Sequence, residues 1–275
     1  MSLLSKATKP FTTQWRRTLI YGPPGVGKST KAATYPSPYA IDTEGGMAGL
    51  NVMKLPTCTA WDEADAMNAP LPAGATEHTA LIPILFALCN EQHDFQTVIL
   101  DSVDWAERLC HAAVCRAGGK KSIKDFGWGD GYTFALDRWQ TVLNCFTDLH
   151  VNKKMDIVLI AHAERKKVND PMADPYDEWG PRVHKDLMAV LVEWCEEVLF
   201  LNYKTYTVTV EANGREMTRP TGGSDRVIYT TKSAGFVAKN RLGLPPELPL
   251  DGVAYQKVVA QRVDEINKRG TVTNG

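Results

Sequence analysis

The stretch Tyr21-Gly22-Pro23-Pro24-Gly25-Val26-Gly27-Lys28-Ser29-Thr30 decides the fold. Its G-x-x-x-x-G-K-[ST] spacing lets the backbone wrap tightly at glycines, so that successive N–H groups and the start of the next helix converge on one point and form a cradle for phosphate. In such a loop Lys28 adds a positive charge on the outer phosphates of ATP, and Ser29 offers a hydroxyl to Mg²⁺, a cation that keeps most of its waters and takes few protein ligands. The context fits. Residues 18–21 are apolar and strand-prone, 28–34 suit a helix until Pro36 stops it, and Tyr39-Ala40-Ile41-Asp42 reads as a second core strand. The candidate ATP-binding residues are therefore Gly22, Pro23, Pro24, Gly25, Val26, Gly27, Lys28, Ser29 and Thr30.

Working outward, Thr97-Val98-Ile99-Leu100-Asp101 is a short apolar run ending in an acid, the pattern of a strand buried on both faces of a parallel sheet. A strand is expected at 156–161, and helices at 61–67, 79–92, 103–116, 132–150 and 187–194; residues 52–55 add a short strand and 70–74 a turn-rich break. Two segments read as long loops, the glycine-rich, basic and aromatic 117–131 and the Lys-, Asp- and Pro-rich 164–181. Residues 197–202, 205–211 and 226–231 alternate as antiparallel strands do, Asn213-Gly214 marks a hairpin turn, and 253–268 forms a closing amphipathic helix. The fold class is thus α/β, a mostly parallel sheet flanked by helices with a C-terminal antiparallel extension. The expected division is an N-terminal arm at 1–17, an ATPase core at 18–250, and a C-terminal helix and tail at 251–275.

With 275 residues the chain can bury a substantial core without staples, and 44% hydrophobic and 23% charged residues are ordinary for a soluble protein. No apolar run approaches the roughly 20 residues that span a bilayer, and the N-terminal stretch lacks the pattern of a secretory signal, so the expected location is the cytoplasm. The six cysteines show neither a C-x-x-C pair nor zinc spacing and are expected to be reduced. A net charge of −1 means that any nucleic-acid site must be local.

Two acids bear on the chemistry. Asp101, closing its strand, matches the Walker B position, where a carboxylate holds Mg²⁺ directly or through water; a helix cap is the competing role. Glu44, in Ile41-Asp42-Thr43-Glu44-Gly45-Gly46, lies just past the second strand, at the carboxyl edge where parallel sheets bind ligands. From there it can orient and deprotonate the attacking water.

Four segments, Tyr21 through Thr30, Ile41-Asp42-Thr43-Glu44-Gly45, Ile99-Leu100-Asp101-Ser102-Val103 and Ile160-Ala161-His162, resemble in that order the ATPase core of the RecA-like recombinases. The likeness is strongest to the small phage members of that group, RecA-like single-strand-annealing ATPases. It covers roughly residues 18–245 and implies a RecA-like P-loop core. It also implies that Glu44 is the catalytic base and that His162, where recombinases more often carry glutamine, senses the γ-phosphate and couples it to DNA loops. Ala238-Lys239-Asn240-Arg241-Leu242-Gly243 looks like the K-x-R segment of ring-forming relatives, where Lys239 and Arg241 would reach a neighbouring subunit's ATP.

The same resemblance places DNA-binding loops at Lys120, Lys121, Lys124 and Trp128 and at Arg165, Lys166 and Lys167, combining cations for phosphates with flat rings for bases. Phe126 and Tyr132 flank the first group. The implied partners are single-stranded DNA, further copies of the chain in a ring or filament with ATP at subunit interfaces, and a single-strand DNA-binding protein. The leading expectation is a DNA-dependent ATPase for single-strand annealing or strand exchange in DNA recombination and repair. A ring helicase or motor and an ATP-switched DNA-binding scaffold remain alternatives. A small-molecule kinase is disfavoured, because the chain shows no arginine-bearing lid and such enzymes need no counterpart of Glu44.

Overall fold

A computed structural model describes residues 14–71, 76–212 and 215–272, so the expected turn at Asn213-Gly214, most of the N-terminal arm and part of the 70–74 break lie outside the described residues. Along the chain run β1 (Arg17–Gly22), α1 (Lys28–Ala32), β2 (Pro38–Asp42), β3 (Met53–Lys54), α2 (Glu63–Asn68), α3 (Leu81–Asn90), β4 (Thr97–Asp101) and α4 (Val103–Ala117). After two 3₁₀ turns (Ile123–Asp125 and Gly127–Gly129) come α5 (Asp130–Val151), β5 (Asp156–Val168), β6 (Tyr176–Pro181), α6 (Lys185–Trp194), β7 (Glu197–Ala212), β8 (Arg215–Tyr229), β9 (Glu247–Pro249) and α7 (Gly252–Val272).

The sheet order is β3-β2-β4-β5-β1-β7-β8-β9, with every pair from β3 to β7 parallel and the pairs β7/β8 and β8/β9 antiparallel. This is the expected α/β architecture. Strand side chains alternate between two cores, as period-2 geometry requires. Leu19 and Tyr21 of β1, Val98 and Leu100 of β4, and Ile157 and Leu159 of β5 face α3, α4, α5 and α6. Ile20, Ile99, Val158 and Ile160 face α1 and α7. Helices on both faces explain why these strands read as unbroken apolar runs. On α3 the buried residues Leu81, Ile84, Leu85 and Leu88 recur at helical spacing and form the stripe that docks on this core. All six cysteines are free, and among the described residues no helix is long and apolar enough to cross a membrane.

Two expectations need correction. Residues 164–181 are not a long loop: β5 continues past the sheet to Val168 and pairs antiparallel with β6, from Ala163↔Pro181 to Val168↔Tyr176. The charges that suggest a solvated loop lie along this ladder, Lys166 opposite Glu178 and Lys167 opposite Asp177, with Lys166 ion-paired to Glu164 on its own strand and Glu178 to Lys232. Likewise 197–202 and 205–211 belong to one strand, β7, with a register shift between Tyr203 and Thr205, and β8 begins at Arg215 rather than 226. The long β7/β8 ribbon projects beyond the sheet, because the pairing of β7 with β1 stops at Phe200.

Candidate nucleotide-binding and hydrolysis site

The phosphate loop leaves β1 at the carboxyl edge of the sheet and enters α1 through Gly27. Gly25 and Gly27 hold φ of 76° and 106°, left-handed conformations that let consecutive amides face inward and that side chains disfavour. Lys28 Nζ donates to the carbonyls of Gly22 and Pro23, both at 3.1 Å. Burial pulls this ammonium below the usual lysine range, while Asp101, Glu44 and Asp104 oppose the shift. Ser29 Oγ donates to Asp101 Oδ2 at 2.5 Å. Burial raises the Asp101 carboxyl, with the Ser29 bond working the other way and the charges of Glu44 and Asp42 adding to the rise.

Lys28 and Asp101 each favour the other's charge, yet burial outweighs that attraction in both, and a triphosphate with a divalent cation would add an opposite charge to each. Ser29 and Asp101 would hold Mg²⁺, with water completing the shell, and Lys28 and the loop amides would hold the phosphates. Among the described residues no group of three or more His, Cys, Asp or Glu side chains forms a metal cage. When bound, Mg²⁺ would neutralise charge developing on the phosphates.

The ends of β2 and β4 are tied together by Thr43. Its backbone N–H donates to Asp101 O at 2.7 Å, and its hydroxyl both donates to Ser102 O and accepts from Ser102 N at 2.9 Å. Asp42, 2% exposed, turns the following loop by accepting from the N–H groups of Gly45 at 2.6 Å and Glu44 at 3.3 Å, and from Lys54 Nζ at 3.2 Å. Glu44 is thereby presented at the carboxyl edge. Its Oε2 accepts from Ser102 Oγ at 3.3 Å and its Oε1 lies 3.7 Å from His162 Nε2. His162, at the level of Gly22 in the β1/β5 register, turns its other nitrogen to Asp104: Nδ1 is 3.1 Å from Asp104 Oδ2, and the His162 backbone N–H donates to Asp104 Oδ1 at 3.0 Å. Asp104 Oδ2 also accepts from Arg182 Nη2 at 2.6 Å. Burial disfavours the Asp104 charge, yet the bonds from His162 and Arg182 prevail and hold its carboxyl below the usual range. Arg182 follows β6, so a continuous polar chain runs from Glu44 through His162 and Asp104 to the root of the β5/β6 hairpin.

Asp104 and Arg182 escape a reading of motifs, and Asp42, although it lies inside one, has no role assigned by it. Asp104 looks like an ordinary acid in the first turn of a helix, and Arg182 lies 78 residues further on with no local pattern around it.

The remaining candidates are dispersed. Lys120 and Lys121, ahead of the 3₁₀ turns, and Lys124, in the first of them, are exposed, and Trp128, in the second, stands fully in solvent with a φ of 55°. Phe126 is not available to a ligand: its ring packs so closely that a Cβ on Gly118 would come within 2.6 Å of it. Tyr132 stacks on His184 with centroids 4.0 Å apart. On the hairpin, Arg165 lies over the Trp179 ring at 5.6 Å and Lys167 is exposed, whereas Lys166 bonds Val183 O and Glu164, both at 2.9 Å. Lys239 Nζ donates to the carbonyls of Val192, Glu193 and Cys195 at 2.7, 3.2 and 2.8 Å, capping the end of α6. Arg241 is exposed and makes no hydrogen bond or ion pair within the described residues. Its neighbour Lys239 pairs with Val198, below the carboxyl edge of β7, so Arg241 is set away from the phosphate loop of its own chain.

A phosphate loop between strand and helix, a serine bonded to a strand-ending aspartate, and a parallel sheet that gathers carboxylates at one edge define a P-loop ATPase with an α/β core. A family model described as an AAA domain matches residues 15–242, and the chain belongs to that family. No curated protein sequence matches significantly. Among solved structures the chain is similar to the RadB recombinase, at 14% identity over 88% of this chain and 90% of that one with a TM-score of 0.43. It is also similar to the flagellar accessory protein FlaH from Methanocaldococcus jannaschii, at 10% identity over 80% of this chain and 86% of that one with a TM-score of 0.28. At that distance no residue role passes from either protein to this chain.

Proposed function

We propose that this chain is an ATPase whose hydrolysis is stimulated by single-stranded DNA and that promotes annealing or strand exchange, as the small phage RecA-like recombinases do. The observation that carries the coupling is the polar chain Glu44–His162–Asp104–Arg182, which joins the water-activating carboxylate to the base of the β5/β6 hairpin. Glu44 takes a proton from the attacking water, Lys28 and the loop amides hold the phosphates, and His162 registers the γ-phosphate beside Glu44.

DNA contacts fall mainly to Lys120, Lys121, Lys124 and Trp128. The hairpin is a weaker electrostatic surface, because Arg165, Lys166 and Lys167 are outnumbered by Glu164, Asp170, Asp174, Asp177 and Glu178. Replacing Lys120 and Lys121 with alanine should flatten the dependence of log affinity on log salt by roughly one unit or more, at about 0.7 per phosphate neutralised. Trp128→Ala should weaken binding with the slope unchanged, because stacking is not a counterion effect. Copies assemble with ATP at their interfaces and Arg241 reaching across, a role suited to an exposed arginine that has no hydrogen-bond or ion-pair partner among the described residues.

The test is ATP turnover by the whole chain with and without single-stranded DNA, paired with particle images of the ATP-bound state. DNA should accelerate turnover and order the particles, and His162→Ala should bind DNA equally in ATP and ADP. Turnover indifferent to DNA, together with a wild-type nucleotide preference in His162→Ala, would remove the DNA-coupled reading.

A further inference from the structure

We infer that Tyr203, Arg226 and Leu250 form the subsite for the nucleoside half of a nucleoside triphosphate, an inference that rests on the nucleotide-binding reading above. Direction comes first. Strand β1 lies between β5 and β7, and Glu44, Asp101 and His162 all come from the β2–β4–β5 side. A triphosphate whose outermost phosphate faces Glu44 must run its sugar and base out toward β7 and β8.

Two side chains stand at that exit. Tyr203 and Arg226 are opposite one another in the β7/β8 register, at the foot of the projecting ribbon. Tyr203 Oη donates to Gly25 O at 3.3 Å, and Arg226 Nη1 donates to Val26 O at 3.3 Å. Both grip carbonyls of the loop whose amides are turned toward the phosphates. A Cβ on Gly27 would stand 3.0 Å from Arg226 Nη1 and 3.6 Å from Leu250 Cδ2, so guanidinium and leucine flank the last turn of the loop. The Tyr203 residue is 39% exposed although its hydroxyl is engaged, which leaves ring surface open beside the loop. An open aromatic ring, an exposed guanidinium and a half-buried leucine around a phosphate cradle suit a flat heteroaromatic base and its ribose, by stacking and cation–π contact. Nothing about these three positions is visible in a motif, because they meet only when the hairpin folds back along β1.

The experiment measures the affinity of the full chain for Mg²⁺–ATP and, separately, for Mg²⁺–tripolyphosphate, which fills the cradle and has no nucleoside. Tyr203→Ala should weaken ATP on the order of 10-fold, the loss of one stacking contact, and leave tripolyphosphate unchanged. Tyr203→Phe keeps the ring and should keep wild-type affinity for ATP, which separates stacking from the bond to Gly25. Arg226→Gln should likewise weaken ATP more than tripolyphosphate. Equal losses for both ligands, an unchanged ATP affinity in Tyr203→Ala, or a phenylalanine variant as weak as the alanine variant would overturn the subsite. Wild-type protein that binds tripolyphosphate as tightly as ATP would overturn it too, while leaving the phosphate loop intact. Binding of neither ligand would overturn the nucleotide-binding reading itself.

Discussion

Asp104→Ala removes the acceptor on which three donors converge. Its side chain is 2% exposed, and it receives the His162 backbone N–H at 3.0 Å, His162 Nδ1 at 3.1 Å and Arg182 Nη2 at 2.6 Å. A hydrogen bond to a buried charge contributes about 1.5–3 kcal/mol, and the orphaned backbone N–H adds a desolvation cost of about 1–3 kcal/mol. The Arg182 side chain is 40% exposed, so water takes over much of its bond and its share is at most about 1 kcal/mol. Allowing for overlap, the loss is about 3–5 kcal/mol, the range for breaking a buried ion pair. For a chain of this size that lowers the melting temperature by about 6–20 °C. Chemical denaturation of the nucleotide-free protein measures it. The sign with pH follows from the direction of the shift. A carboxyl held below its unfolded value stabilises above about pH 4, and the contribution is lost as pH falls through the lower folded value. The gap between wild type and Asp104→Ala is therefore full at neutral pH and narrows in acid. Asp104→Asn, whose carboxamide oxygen still accepts from His162, should lose less stability than the alanine variant. A loss below about 1 kcal/mol in Asp104→Ala, with no change of the gap in acid, would refute the hub.

Lys28→Ala and Asp101→Ala should abolish ATP turnover, whereas Glu44→Gln should keep ATP binding while hydrolysis falls on the order of 10² to 10⁴-fold; failure of Glu44→Gln to bind ATP would end its role as base. Mixing Lys28→Ala with Arg241→Ala subunits should restore some turnover, since an intact loop then meets an intact arginine across an interface, and no recovery at any ratio in assembled particles would place Arg241 outside the reaction. Burial raises the Glu107 carboxyl to about 7, against the His184 backbone N–H and Lys166 that favour its charge, so the folded state retains a proton the unfolded chain releases. Stability should then decline as pH rises from the ordinary glutamate value to about 7, with a slope approaching about 1.4 kcal/mol per unit. Glu107→Gln should lower that slope in urea titrations at stepped pH; Asp156, also raised to about 7 by burial, would leave part of it in place.

The phosphate loop, Asp101 at its strand end and Glu44 past the second strand are legible in the sequence because each is a local statement. Glycines permit one backbone path, and an apolar run ending in an acid delivers that acid to the edge of a buried strand. The α/β alternation and the antiparallel extension are legible for the same reason. The β5/β6 hairpin is not, because Glu164-Arg165-Lys166-Lys167 alone looks solvated. Only its partner strand, bringing Glu178 and Asp177 opposite two of those lysines, makes it a ladder.

The amino-acid sequence by itself therefore determined the class of protein and marked the loop and acids proposed to handle phosphate, since those signals are encoded within ten residues and repeated apolar periods. The tertiary structure alone decided which other side chains serve the site. Asp104 becomes a hub only where α4 packs beneath β5 and Arg182 returns from β6. Lys239 becomes the cap of α6 only where its segment pairs with β7. Tyr203 and Arg226 reach the loop from 178 and 200 residues away in the chain. Contacts between residues so distant in sequence are fixed by strand register and helix packing, which act on whole elements and leave no signature in a short window.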